Sequence, residues 1–160
     1  MDRPGLIERA LCRLLAFTDI QHEGSLYMRR FFLTPKNADG WELVLHKICR
    51  PDVDAAHHDH PGDFATLVLR GGYIEKGLLP DGQECAEAVT AGNLRFRSAT
   101  FAHRIDRILG NAAWTLCLRR RVTNPWGFWR ADQKPAEWTP ADEYFRPGYE
   151  RAPAPQRDSS

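Results

Sequence analysis

Hydrophobic and polar positions change their period once along this chain. Leu6, Ile7, Ala10, Leu11, Leu14 and Leu15 recur at helical spacing and predict one short amphipathic helix, with Asp2 as its cap and Pro4 in its first turn. Its apolar face is expected to pack on the outside of the domain. From Ser25 onward short β-type runs take over: Leu26 to Thr34, Trp41 to Arg50, Phe64 to Arg70, Tyr73 to Leu79, Cys85 to Thr90, Leu94 to Arg97, His103 to Leu109 and Trp114 to Val122. Between them lie Lys36 to Gly40, Gly71-Gly72, Pro80-Asp81-Gly82 and Ala91-Gly92-Asn93, which carry the residues that let a backbone reverse. Strand after strand without alternating helices predicts an all-β antiparallel sandwich or barrel. A jelly roll of two Greek keys closes eight such strands.

After Val122 the pattern breaks into an irregular aromatic stretch, Asn124-Pro125-Trp126-Gly127-Phe128-Trp129 and then Trp138, Tyr144 and Phe145. The expected organisation is a helical segment over 1–24, a barrel over 25–123, an aromatic extension packing on it over 124–150, and a disordered tail over 151–160.

Composition narrows the partners. A chain of 160 residues with net charge +1 is about one domain, with no global field drawing it to nucleic acid or membrane. The arginines of Arg95-Phe96-Arg97 and Arg119-Arg120-Arg121 read as an outward strand face or an anion-binding lining. Cys12, Cys49, Cys85 and Cys117 are widely spaced, with no C-x-x-C pair, and read as reduced thiols of a cytoplasmic protein. No signal-peptide pattern or bilayer-length apolar run is visible. The expected partner is a small molecule, with a homodimer also open because sheet edges need cover.

The candidate chemistry lies in His57-His58-Asp59-His60-Pro61-Gly62-Asp63 and the later His103. An H-x-H pair on a strand places both imidazoles on one face, so His58 and His60 need only His103 from a neighbouring strand to hold a divalent metal. Three imidazoles suit iron, zinc, nickel or copper and leave coordination positions open. A rival register, His57 with Asp59 and His103, would form the facial triad of 2-oxoglutarate-type oxygenases, but it conflicts with the parity of His58 and His60.

These residues resemble the two histidine motifs of the cupin superfamily. In the first, His58 and His60 take the histidine positions and Gly71 or Gly72 the closing glycine, while Asp52 stands where the opening glycine would be. In the second, Gly92 and His103 match, while Ser98, Thr100 and Arg107 replace proline, glycine and asparagine. The resemblance covers roughly Trp41 to Arg121 and is similar in detail to small bacterial and phage cupin proteins of unassigned activity. It implies a cupin-type antiparallel β-barrel, the double-stranded β-helix or jelly roll, with a short N-terminal helix.

The motif's glutamate falls on Phe64 or Ala65. A three-histidine site similar to that of thiol dioxygenases is therefore favoured over one with Asp63 added through a bulge near Pro61-Gly62. The resemblance implies a metal-dependent enzyme, with an Fe(II) dioxygenase acting on a small carboxylate-bearing anion as the leading expectation. The alternatives are a zinc- or manganese-dependent isomerase, epimerase or lyase (nickel also fits the donors), and a non-enzymatic small-molecule binder. Asp63 and Arg107 are the candidate catalytic groups. Arg107, Arg70 and Arg30 are the candidate substrate anchors, since a guanidinium facing the pocket would grip a carboxylate. His46 is expected to be a satisfied structural histidine, and Trp126, Phe128 and Trp129 wall or lid packing.

Overall fold

A computed structural model describes residues 5–22, 24–35, 40–120, 125–130 and 136–148; the expected capping residues Asp2 and Pro4 and the expected disordered tail lie outside them. The helix α1 (Leu6–Leu14) leads into strands β1 (Phe17–His22), β2 (Ser25–Phe32), β3 (Trp41–Ile48), β4 (His57–His58), β5 (Phe64–Leu78), β6 (Glu84–Thr90), β7 (Leu94–Arg97), β8 (His103–Arg120), β9 (Gly127–Arg130) and β10 (Glu137–Pro140), then a helical turn α2 (Ala141–Tyr144). The pairings are antiparallel, in the order β1-β2-β3-β8-β4-β9-β10, and β5 bonds to β6, β7 and β8. The result is an all-β, cupin-type antiparallel barrel with a short N-terminal helix.

The expected reversal at Gly71-Gly72, and the gap between the runs His103 to Leu109 and Trp114 to Val122, are bends instead. β5 and β8 run 15 and 18 residues without a break, each fusing two of the predicted runs. Gly71 (φ 72°) and Gly110 (φ 85°) take left-handed conformations, and the β5–β8 register shifts on both sides of Arg70. One left-handed glycine kinks a strand without turning it back. A Cβ on Gly71 would sit 2.2 Å from the Ala112 carbonyl oxygen, so β8 crosses the kink at a distance only glycine permits.

Segments on both sides of the predicted barrel join the sheet. β1, read from sequence as part of the helical segment, pairs with β2. The aromatic extension supplies β9 and β10, and β9 pairs with β4.

Helix α1 lies the other way up from its predicted orientation. Its one buried residue is Glu8, while Leu6, Ile7 and Leu14 are exposed. Ion pairs decide the face: Glu8 accepts from Arg29 Nη1 at 3.0 Å and Lys47 Nζ at 2.7 Å.

Inside the barrel, Tyr27, Met28, Ile48, Val68, Tyr73, Val89, Ile105 and Ala113 form the main apolar cluster. A second cluster, Ala56, Phe128, Ala141 and Tyr144, fixes the C-terminal extension. All four cysteines are free thiols. Among the described residues, no helix is long and apolar enough to cross a membrane.

Candidate metal centre

The two residues of β4 sit between β8 and β9, with His58 opposite both His103 and Phe128. Asp59 fastens this short strand from behind. Its carboxylate accepts hydrogen bonds from the Gly127 amide (2.6 Å), the Trp138 indole (2.9 Å) and the Trp129 indole (3.2 Å). The His60 amide donates to the Ala99 carbonyl at 3.0 Å. With Asp59 turned outward, alternation sends His58 and His60 inward. There they meet His103, and the ligand atoms of the three rings lie within 4.8 Å of one another. His60 Nε2 and His103 Nε2 are 2.8 Å apart.

A second layer orients the rings. His103 Nδ1 lies 2.6 Å from Glu75 Oε1, and the other oxygen of Glu75 pairs with Arg97. Burial works to raise the Glu75 pKa, but the hydrogen bonds from His103 and Arg97 hold it down at about 2. An ionised carboxylate only accepts, so His103 carries its proton on Nδ1 and turns the Nε2 lone pair toward the cluster. Behind His58, Nδ1 lies 3.8 Å from Asp52 Oδ2. Asp52 also accepts from the Tyr27 hydroxyl and from the Ile105 amide at 2.7 Å. The acid at the cupin motif's opening-glycine position thus ties the first histidine strand to β8. Carboxylates behind ligating imidazoles are the usual support of a metal site.

Burial keeps His58 and His60 neutral. It pushes His58 down to about 4, and it lowers His60 well below the ordinary histidine value, with His58 and His103 adding to the effect. Neutral imidazoles with convergent lone pairs are the form that ligates, so the donor set fits a divalent cation. The position of the motif's missing glutamate is filled by Phe64, which packs edge-on against His60 at 4.4 Å between ring centroids.

The other predicted residues divide. Asp63 is exposed, and its carboxylate accepts from the Ala99 amide at 2.8 Å; it braces the loop under His60 and is not brought to the histidine cluster. Arg107 is exposed as well. The register shift that pairs Glu75 with Ile105 but Ile74 with Arg107 leaves Asp106 as an extra residue, so Arg107 turns to the face opposite His103. Arg70, expected inward by parity with Val68, is turned out by the shift beside it. Only Arg30 of the three predicted anchors points into the barrel. The register that would use His57 and Asp59 is excluded by geometry, since Asp59 faces the tryptophans and the His57 ring is buried with Nε2 3.3 Å from Glu84.

Sequence reasoning missed Glu75 and the inward role of His46. Glu75 was marked only by being an acid at the parity of Tyr73. Phe128 closes on His58 at 6.0 Å between ring centroids and stacks on Tyr144 at 4.0 Å, so it walls the site; Trp129 instead serves Asp59.

No protein-family model matches the chain, and no curated protein matches it in sequence. Solved structures do match in shape. The Fe(II) form of HppE has a TM-score of 0.55 at 15% identity over 67% of this chain and 57% of that one, so the chain spans little more than half of that structure's length. A cupin 2 conserved barrel domain protein from Rhodopseudomonas palustris has a TM-score of 0.55 at 16% identity, over 74% of this chain and 80% of that one. An oxalate decarboxylase variant from Bacillus subtilis has a TM-score of 0.52 at 14% identity, over 68% of this chain and 28% of that one. These likenesses establish the cupin fold.

Proposed function

We propose that this cupin-fold chain is a metal-dependent enzyme, an Fe(II) dioxygenase acting on a small carboxylate-bearing anion. The observation that carries the reading is the convergence of three imidazoles, two of them with a carboxylate behind, inside the barrel. His58, His60 and His103 would hold the iron. When bound, it would supply adjacent open positions for dioxygen and substrate. Glu75 keeps the His103 lone pair facing the metal. Phe64, Phe128 and Phe101, the last 5.6 Å from His103 between ring centroids, exclude bulk water. Arg30 supplies positive charge for the substrate's anion. Both atoms of dioxygen enter the product, so the substrate furnishes the electrons and no external reductant is consumed.

Elemental analysis of protein purified without added metal, followed by oxygen-uptake assays across small carboxylic acids, tests the reading. Iron near one equivalent and uptake matched to substrate loss are expected, and His60→Ala should lose the iron. Zinc or manganese, with turnover but no oxygen uptake, would replace the dioxygenase with Lewis-acid isomerase or lyase chemistry; the fold likeness to a decarboxylase favours this as the second reading. Unchanged metal content in His60→Ala would remove the metal centre altogether.

The outer barrel face fits a second copy of the chain. Leu43, Leu118, Ala65 and Phe96 form one row across β3, β8, β5 and β7, with a row of four leucines beside it; Phe96 is 74% exposed. The two rows form one apolar patch across four neighbouring strands. Its uncharged, apolar make-up is that of a homodimer core rather than a transient contact. Sedimentation should give a dimer that Phe96→Glu dissociates; a monomeric wild type would refute the pairing.

A further inference from the structure

One row across the barrel interior is polar and lacks partners. Arg30 of β2 faces His46 of β3, and His46 faces Thr115 of β8. Their direction is fixed by the core residues Met28, Ile48 and Ala113, which stand two positions away on the same strands. Arg30 Nε, His46 Nε2 and Thr115 Oγ1 are each buried without a hydrogen-bond partner among the described residues, and Thr115 is 1% exposed. A buried polar atom left unpaired costs about 1–3 kcal/mol, so three in one register point to a ligand.

The charges say which ligand. Farther along the same interior face, Arg119 is already paired with Glu42 through Nε at 2.7 Å. Arg30 has no carboxylate partner among the described residues, which leaves one buried positive charge uncompensated. Because burial keeps His46 neutral, with Arg30 and Arg119 adding to the effect, the row as a whole carries a single positive charge.

We propose that Arg30, His46 and Thr115 form the anion-binding end of the substrate site and take one carboxylate. The guanidinium of Arg30 donates to the carboxylate and neutralises it, while Thr115 Oγ1–H and His46 Nε2–H complete its hydrogen bonds. A net charge of one selects a monoanion over a phosphate or sulfate dianion. The substrate is thus a small acid that presents its carboxylate to this row and its reacting atoms to the histidines. That orientation rests on the metal-centre reading, but the grip on the carboxylate does not.

Acetate is the probe, with acetamide as the neutral isostere and sulfate as the dianion, titrated into the metal-loaded protein by ligand-observed NMR. Saturable acetate binding is expected, with acetamide silent and sulfate weaker. Arg30→Met should weaken acetate by at least roughly tenfold, in line with a charge-assisted hydrogen bond, while metal content stays unchanged. Thr115→Val should weaken it severalfold, and supplies the test if Arg30→Met does not fold. His60→Ala should lose metal yet keep acetate binding, so a failed metal centre and a failed anion site give different results. The proposal is overturned if wild type shows no saturable acetate binding, if sulfate binds more tightly than acetate, or if the foldable row variant binds acetate as well as wild type. Acetate binding that vanishes with the metal would place the anion on the metal and overturn it equally.

Discussion

The same three strands set an apolar row and a polar row side by side inside one barrel. In β2, β3 and β8 the inward residues Met28, Ile48 and Ala113 belong to the apolar core, and one step of two residues later they become Arg30, His46 and Thr115. The switch falls in the same register on all three strands. A protein seeking stability alone would continue the apolar row, because burying polar groups without partners is unfavourable. The apolar row therefore helps hold the fold together, and the polar row, beyond which Val44 and Cys117 are buried again, is kept at a cost in stability. The inside of a small barrel serves both ends, and the sheet register separates them.

That separation can be broken from either side. The largest effect should come from His60→Ala, which is expected to abolish iron retention while urea unfolding of the metal-free protein stays close to wild type. Ile48→Ala is the reverse case. Ile48 is 4% exposed in the apolar cluster, and truncating a buried isoleucine costs about 2–5 kcal/mol, with metal stoichiometry preserved in the folded fraction. Should Ile48→Ala strip the metal at a temperature where the protein remains folded, the apolar core and the site are not separable.

Next in size is Glu75→Gln. The amide can still reach His103, but the charge that fixes the imidazole proton on Nδ1 is gone, and Arg97 loses its partner. Loss of such a supporting carboxylate typically weakens metal binding about 10–100-fold. Chelator competition measures this directly; affinity equal to wild type would show that Glu75 only neutralises Arg97.

The metal centre was legible in the sequence where the argument needed no tertiary knowledge. An H-x-H on a strand has a fixed parity, so His58 and His60 were readable as a pair, and the cupin likeness supplied His103. Arg107 and Arg70 were misplaced because each lies just past a bulge. Gly71 hints at its own bulge, but nothing around Asp106 marks the other. The polar row was hidden for a related reason: a charged or imidazole side chain on a strand reads as outward, and only the pairing of Arg30 with His46 and Thr115 shows that all three face in. Helix α1 inverted for want of a pairing signal. Periodicity defines two faces, whereas the choice of Glu8 as the buried one depends on Arg29 and Lys47 far along the chain.

The smallest effect bears on the polar row itself, at His46. Burial, reinforced by the positive charges of Arg30 and Arg119, pushes its pKa down to about 3, while an unfolded histidine titrates near 6.5. Between those values the unfolded chain holds a proton that the native state refuses. The stability due to neutral His46 is therefore complete above about pH 6.5 and declines as pH falls toward 3, at about 1.4 kcal/mol per pH unit. Other buried histidines contribute in the same direction, so the useful quantity is the difference between wild type and His46→Gln in urea unfolding from pH 7 to 4. That difference should shift against wild type with falling pH. Saturating acetate should shrink the shift, because a carboxylate held beside His46 favours its protonated form and raises its native pKa. A difference flat in pH would mean that His46 is solvated rather than buried, and the polar row would then be an open vestibule instead of the floor of a site.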